Sequence, residues 1–158
     1  MEKVLMGADP WGFELKNSVK EHLEKKGYEI IDIGMHSKDD EVDYYVVGAT
    51  AAKKIQNGEV EKAILFCGTG MGVSIVANKF KGISASVIES EFAAKMCKAV
   101  NNSNILTMGG MFLSEYKAKL AADMWLETKH TEGFEPEMAD FLKTSLKEIE
   151  KIEDEVFK

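Results

Sequence analysis

The run Lys62-Ala63-Ile64-Leu65-Phe66-Cys67-Gly68-Thr69-Gly70-Met71-Gly72-Val73-Ser74-Ile75-Val76-Ala77-Asn78-Lys79 decides the fold of this chain. Its first five residues, 62–66, form a short apolar stretch with strand character, and a helix is expected from about 71 to 80. Between them lie Gly68, Gly70 and Gly72, three glycines in five residues. A strand that breaks into a glycine-rich loop and restarts as a helix is one unit of a β/α repeat. The same unit recurs on both sides. Upstream, strands are expected at 4–6 and 28–33, each followed by a helix, at 12–26 and 42–56. Gly27 and the Asn57-Gly58 pair stand at the helix ends, where such residues favour a C-terminal stop. Downstream, strands at 84–88 and 104–108 precede helices at 90–100 and 114–127. A highly charged helix closes the chain from about 135 to 155. Five β/α units in regular alternation predict a parallel sheet with helices on both faces, in one domain spanning 1–158.

In such a sheet ligands bind beyond the carboxyl ends of the strands, where the strand order reverses. Two loops fall there: Gly7-Ala8-Asp9-Pro10-Trp11-Gly12 and Cys67-Gly68-Thr69-Gly70-Met71-Gly72. Asn101-Asn102-Ser103-Asn104 precedes the fifth strand and joins them only if its helix ends near the pocket. The third-strand loop can turn several backbone N–H groups into one concavity, which suits an anion or oxyanion. It is neither GxxxxGK[ST] nor GxGxxG, so a nucleoside triphosphate or dinucleotide is not indicated. Cys67 reads either as a small buried hydrophobe or as a thiolate beside that loop. Cys97, mid-helix, reads as a packed thiol. Asp9 either caps the next helix or accepts sugar hydroxyls, and Asp43-Tyr44 stands where a cap would. Trp11 and Phe112 are core or pocket wall. Met6, Met71, Met108 and Met111 lie at strand ends, as filler or as cavity lining.

Composition narrows the function classes. The chain has 158 residues, 45% hydrophobic and 30% charged, and a formal net charge of −7. That field repels nucleic acid and anionic lipid surfaces, so neither is an expected partner. No apolar run approaches the roughly 20 residues of a membrane helix, and the N-terminus does not read as a signal peptide. Two cysteines make no disulfide framework, so a reducing cytoplasm is the expected location. The three histidines are scattered, without zinc-site spacing. All 20 basic residues are lysine. An anionic substrate must therefore be held without the bidentate fork of arginine.

The stretch from Cys67 to Lys79 resembles the signature of type B ribose-5-phosphate isomerases and galactose-6-phosphate isomerase subunits. Gly7-Ala8-Asp9 with Gly12-Phe13-Glu14-Leu15-Lys16, the Asp43-Tyr44 pair and Asn101-Asn102-Ser103-Asn104-Ile105-Leu106 extend the resemblance over about residues 3–135. It implies a Rossmann-like α/β/α sandwich with a five-stranded parallel sheet. The C-terminal helix at about 135–155 is expected either to present a solvated face, as the Lys143, Lys147 and Lys151 spacing most simply reads, or to pack on a partner subunit. The resemblance further implies a homodimer or homotetramer with its active site at the subunit interface. The implied reaction is aldose–ketose isomerisation of a sugar or sugar phosphate through a cis-enediolate, without metal or organic cofactor. Cys67 is then the base that moves the proton between C1 and C2, Thr69 assists, and Asp9 handles a substrate hydroxyl. Gly68, Gly70, Met71, Gly72 and Asn101 hold the substrate and its enediolate oxygen, with Asp43, Tyr44 and Trp11 completing the binding site.

The departures from the family pattern bear on the substrate. Members usually carry Asp-His where this chain has Asp9-Pro10. They often carry a ring-opening histidine where it has Val100, and an arginine where it has Met111. Their Gly-Gly-Arg-His stretch and a further arginine give way to Glu132-Gly133-Phe134-Glu135-Pro136-Glu137. Each lost charge-assisted hydrogen bond to phosphate is worth roughly 1.5–3 kcal/mol. The expectation is an isomerase with altered specificity: an uncharged sugar, a phosphosugar held by lysines, or a substrate turned in the pocket. Without a ring-opening residue, a short or open-chain sugar is favoured. The alternatives are a catalytically impaired sugar-binding subunit that needs an active paralogue, and, more weakly supported, a flavodoxin-like nucleotide-binding module.

Overall fold

The computed structural model describes residues 1–157. Strands β1 (Lys3–Ala8), β2 (Glu29–Gly34), β3 (Ala63–Cys67), β4 (Ala85–Val87) and β5 (Ile105–Gly109) alternate with helices α1 (Phe13–Lys25), α2 (Tyr44–Gln56), α3 (Met71–Ala77), α4 (Glu91–Asn101) and α5 (Glu115–Glu127), and α6 (Pro136–Val156) ends the chain. All four strand pairings are parallel, in the order β2-β1-β3-β5-β4. This is the expected Rossmann-like α/β architecture with its added C-terminal helix.

Side-chain alternation along the strands builds two cores. Val4, Met6, Ile64, Phe66, Leu106 and Met108 face Leu15, Val19 and Leu23 of α1, Ala94 of α4 and Trp125 of α5. Leu5, Leu65 and Ile105 face Val47 and Ala51 of α2 and Val73 of α3. Met6 and Met108 are therefore core residues, fully buried, while Met71 and Met111 remain exposed.

Two elements are shorter than their patterns suggest. α3 stops at Ala77 because the Asn78 side chain turns to β4, donating to the Ala85 carbonyl at 2.9 Å and accepting the Ala85 N–H at 2.8 Å. β4 is an edge strand paired only with β5, over three residues. α6 buries only Leu142 and leaves Met138, Phe141, Ile149 and Ile152 exposed. Among the described residues, no helix is long and apolar enough to cross a membrane.

The chain leaves β1 towards β2 and leaves β3 in the opposite direction, towards β4. The order reverses between β1 and β3, so the loops after these two strands flank the crevice in which ligands of open α/β sheets bind.

Candidate active site

A cavity of about 760 Å³ opens at this crevice. Its walls come from the β1 loop (Asp9, Pro10, Trp11), the start of α2 and the residues before it (Glu41, Asp43, Tyr44), the β3 loop (Cys67, Gly68, Thr69, Gly72) and Met111 after β5.

Cys67 is the last residue of the buried β3 and is only 4% exposed. Its Sγ faces the cavity and accepts the Gly70 N–H at 3.2 Å. That donor can lie over the sulfur because Gly70 has φ +75°, left-handed backbone that favours glycine. The loop is braced from the neighbouring strand. Thr107 of β5, fully buried, donates its hydroxyl to the Gly70 carbonyl at 2.7 Å. The N–H groups of Gly110 and Met111 bond the carbonyls of Cys67 and Gly68, both at 2.9 Å. Thr69 keeps its hydroxyl at the cavity, where it accepts the Met71 N–H at 3.2 Å. Gly72 gives room to Tyr44: a Cβ there would fall 2.8 Å from Cε2 of the ring.

Asp9 is 5% exposed and uses Oδ1 to accept the N–H groups of Trp11 and Gly12, each at 3.0 Å. It thus shapes the turn ahead of α1, whose N-cap is Gly12 rather than Asp9, and it lines the cavity. Burial holds its carboxyl above the ordinary carboxylate range. The two N–H bonds oppose that shift, and the Asp43 charge adds to it.

Asp43 occupies the N-cap position of α2 but makes no capping bond. Its carboxylate instead accepts the Tyr45 hydroxyl at 2.7 Å and borders the cavity. Trp11, 72% exposed, is cavity wall, and Phe112 is exposed outside the lining. Gly70 and Met71 shape the loop from behind and do not line the cavity.

Asn101 lies elsewhere. It ends α4 at the amino edge of the sheet, in a small cleft with Ser84, Asn104 and Glu153. Within one chain it does not meet Cys67. Cys97 packs against Ser103, whose hydroxyl donates to its Sγ at 3.3 Å, and burial pushes its thiol up. Among the described residues, no group of three or more histidine, cysteine or carboxylate side chains is arranged to hold a metal ion.

Sequence reading missed Thr107, Glu41 and Tyr45. Thr107 sits in an apolar strand pattern that conceals its inward hydroxyl. Glu41 lies in a charged loop where nothing separates a cavity carboxylate from a solvated one.

The chain also resembles known proteins along most of its length. The family model described as Ribose/Galactose Isomerase matches residues 4–140. A 4-deoxy-4-sulfo-D-erythrose isomerase of Clostridium sp. (strain MSTE9) is 44% identical over 156 residues, covering 99% of this chain and 98% of that protein. Ribose-5-phosphate isomerase B of Escherichia coli (strain K12) is 38% identical over 133 residues, covering 84% and 89%. The structure of Clostridium thermocellum ribose-5-phosphate isomerase B superposes with a TM-score of 0.87 at 34% identity, covering 98% of this chain and 99% of that one.

Proposed function

The chain belongs to the Ribose/Galactose Isomerase family, and from that membership we propose that it interconverts an aldose and a ketose by proton transfer through a cis-enediolate at Cys67. The observation that carries the mechanism is the Cys67 thiol at the cavity, with the Gly70 N–H directed onto its sulfur. The thiolate is the form of this side chain that takes a proton from C1 or C2, and the Gly70 N–H is placed to hydrogen-bond its sulfur. In the aldose-to-ketose direction the C2 proton leaves as the C–H electrons form the C1–C2 double bond and the carbonyl electrons move onto O1. The proton is then returned to C1 while the hydroxyl proton passes from O2 to O1, leaving the carbonyl at C2. Thr69 and the loop around it supply polar groups where the oxygen gains charge. Asp9, fixed by two N–H bonds, accepts a substrate hydroxyl, and Tyr44, Trp11 and Asp43 frame the sugar. Asn101 enters the site from a second copy of the chain, which makes the working unit a homodimer or larger. The activity belongs in the reducing cytoplasm, where Cys67 stays a free thiol.

For the substrate we propose a four-carbon sugar ending in a singly charged group, such as a sulfonate. Three features support this. The relative that is 44% identical is named for a 4-deoxy-4-sulfo tetrose. Such a sugar bears sulfur in place of O4 and cannot close a five-membered ring, so it needs no ring-opening residue, and Val100 stands where family members often carry that histidine. A sulfonate also carries one charge, which asks less of a chain whose basic residues are all lysine.

The test is deuterium exchange from solvent into C1 or C2, followed by NMR. The substrates are 4-deoxy-4-sulfo-D-erythrose, ribose 5-phosphate and unphosphorylated tetroses. The sulfonated tetrose should exchange fastest, and Cys67→Ala should lower the rate by roughly 10²–10⁴-fold. Unchanged exchange in Cys67→Ala would refute the assignment of the base. No exchange with any of these sugars by the folded protein alone would point to a subunit that needs a paralogue.

A further inference from the structure

The cavity has two unlike sides. Trp11 and Met111 present apolar surface, whereas Asp9, Glu41 and Asp43 present carboxylates. Two of these three are engaged. Asp9 accepts two backbone N–H groups through Oδ1, and Asp43 accepts the Tyr45 hydroxyl. Glu41 is exposed, lines the cavity and has no ion-pair or hydrogen-bond partner among the described residues. The other titratable groups facing the cavity are Tyr44 and Cys67, and no lysine lines it among the described residues. Charge on one part of this wall is felt on another, since the Asp43 carboxylate helps to raise Asp9.

We propose that Glu41 is a specificity-determining residue, whose unpaired carboxylate selects sugars ending in a singly charged sulfonate over those ending in a doubly charged phosphate ester. The inference rests on the isomerase reading above and deepens it. Repulsion scales with the charge of the substrate's terminal group. A phosphate ester carries close to two negative charges at neutral pH and moves towards one below a second pKa of about 6, whereas a sulfonate keeps one throughout. 4-Deoxy-4-sulfo-D-erythrose and D-erythrose 4-phosphate are a clean pair for comparison. Neither has a free O4 with which to close a five-membered ring. Both pass through an enediolate of the same charge, so any cost of the acidic wall to that intermediate cancels in their ratio.

The experiment measures kcat/KM for both sugars in wild type, Glu41→Gln, Glu41→Asp and Glu24→Gln, between pH 5.5 and 8. Wild type should prefer the sulfonate, and the preference should narrow as pH falls through about 6. Glu41→Gln should shift the ratio towards phosphate by about two- to fivefold at pH 8, the size expected for one charge acting through solvent-rich surroundings. Glu41→Asp keeps the charge and should keep the wild-type ratio. Glu24→Gln removes an equal charge from the exposed face of α1 and should leave the ratio unmoved, which separates a local effect from one of net charge. If both sugars turn over and neither pH nor Glu41→Gln moves the ratio, the role of Glu41 is refuted while the isomerase reading stands. If neither sugar exchanges deuterium in wild type, the isomerase reading fails and this inference falls with it.

Discussion

Asp9 accepts the N–H groups of Trp11 and Gly12 through one oxygen and is almost wholly removed from water. Its carboxyl sits above the ordinary range, because the cost of burial outweighs what the two donors return. A carboxyl raised in the folded state favours folding while protonated. That contribution is complete below its unfolded pKa and is lost as pH rises through the folded value. Asp9→Asn keeps a carbonyl oxygen for both donors and removes the ionisation. Its stability relative to wild type should therefore improve between pH 3 and pH 7. Urea midpoints at the two pH values provide the check, and a stability difference independent of pH would contradict the account. The cap-like position of Asp43 shows how far such a reading reaches from sequence. The residue is at the N-cap, as its neighbours suggest, yet its carboxylate turns to Tyr45, a choice made by the local packing of α2.

At the scale of elements, α1 illustrates both success and failure of periodicity. Phe13, Leu15, Val19 and Leu23 are buried as their spacing predicts. Lys16 is fully buried as well, although a lysine in a charged helix reads as solvated. Its Nζ donates to both carboxylate oxygens of Asp32 at 2.9 Å and to the Met35 carbonyl at 2.7 Å, tying α1 to the end of β2. Lys20 shares Asp32 from the exposed side. Lys16→Met preserves volume but leaves a buried carbonyl and half of an ion pair unmet. It should cost about 3 kcal/mol in chemical denaturation, and a loss below about 1 kcal/mol would show that Lys20 and water compensate. α6 is legible as a highly charged helix, but its pattern does not announce that Phe141, Ile149 and Ile152 stay exposed on it.

For the whole molecule, the separation of Asn101 from Cys67 has a direct consequence. The two residues lie at opposite edges of one sheet, so a site that uses both must draw them from two chains. Cys67→Ala and Asn101→Ala homodimers should each be impaired. In a mixed dimer with twofold symmetry, one site carries both substitutions and the other carries neither. Random exchange of subunits makes half the dimers mixed, so a mixture should recover about a quarter of wild-type activity. Dissociating and reassociating the two variants together, then assaying deuterium exchange, tests this. A mixture no more active than its parts would place Asn101 outside the site.

The order of strands and helices and the glycine loop after β3 were determined by the sequence alone. Each depends on contacts between near neighbours, on the period of apolar residues and on where glycine interrupts them. The stretch from Cys67 to Lys79 that carries the family resemblance is likewise contiguous. Only the tertiary structure decided the strand order, and with it the crevice between β1 and β3 that brings Asp9, Asp43, Tyr44 and Cys67 around one cavity. Only it showed that Asn101 stands apart from them, that Thr107 braces Gly70 from beneath, and that Lys16 is buried. The physical reason is common to all of these. They are set by parallel pairing and packing between segments far apart in the chain, where a residue's environment depends on what lies across from it rather than on what precedes it.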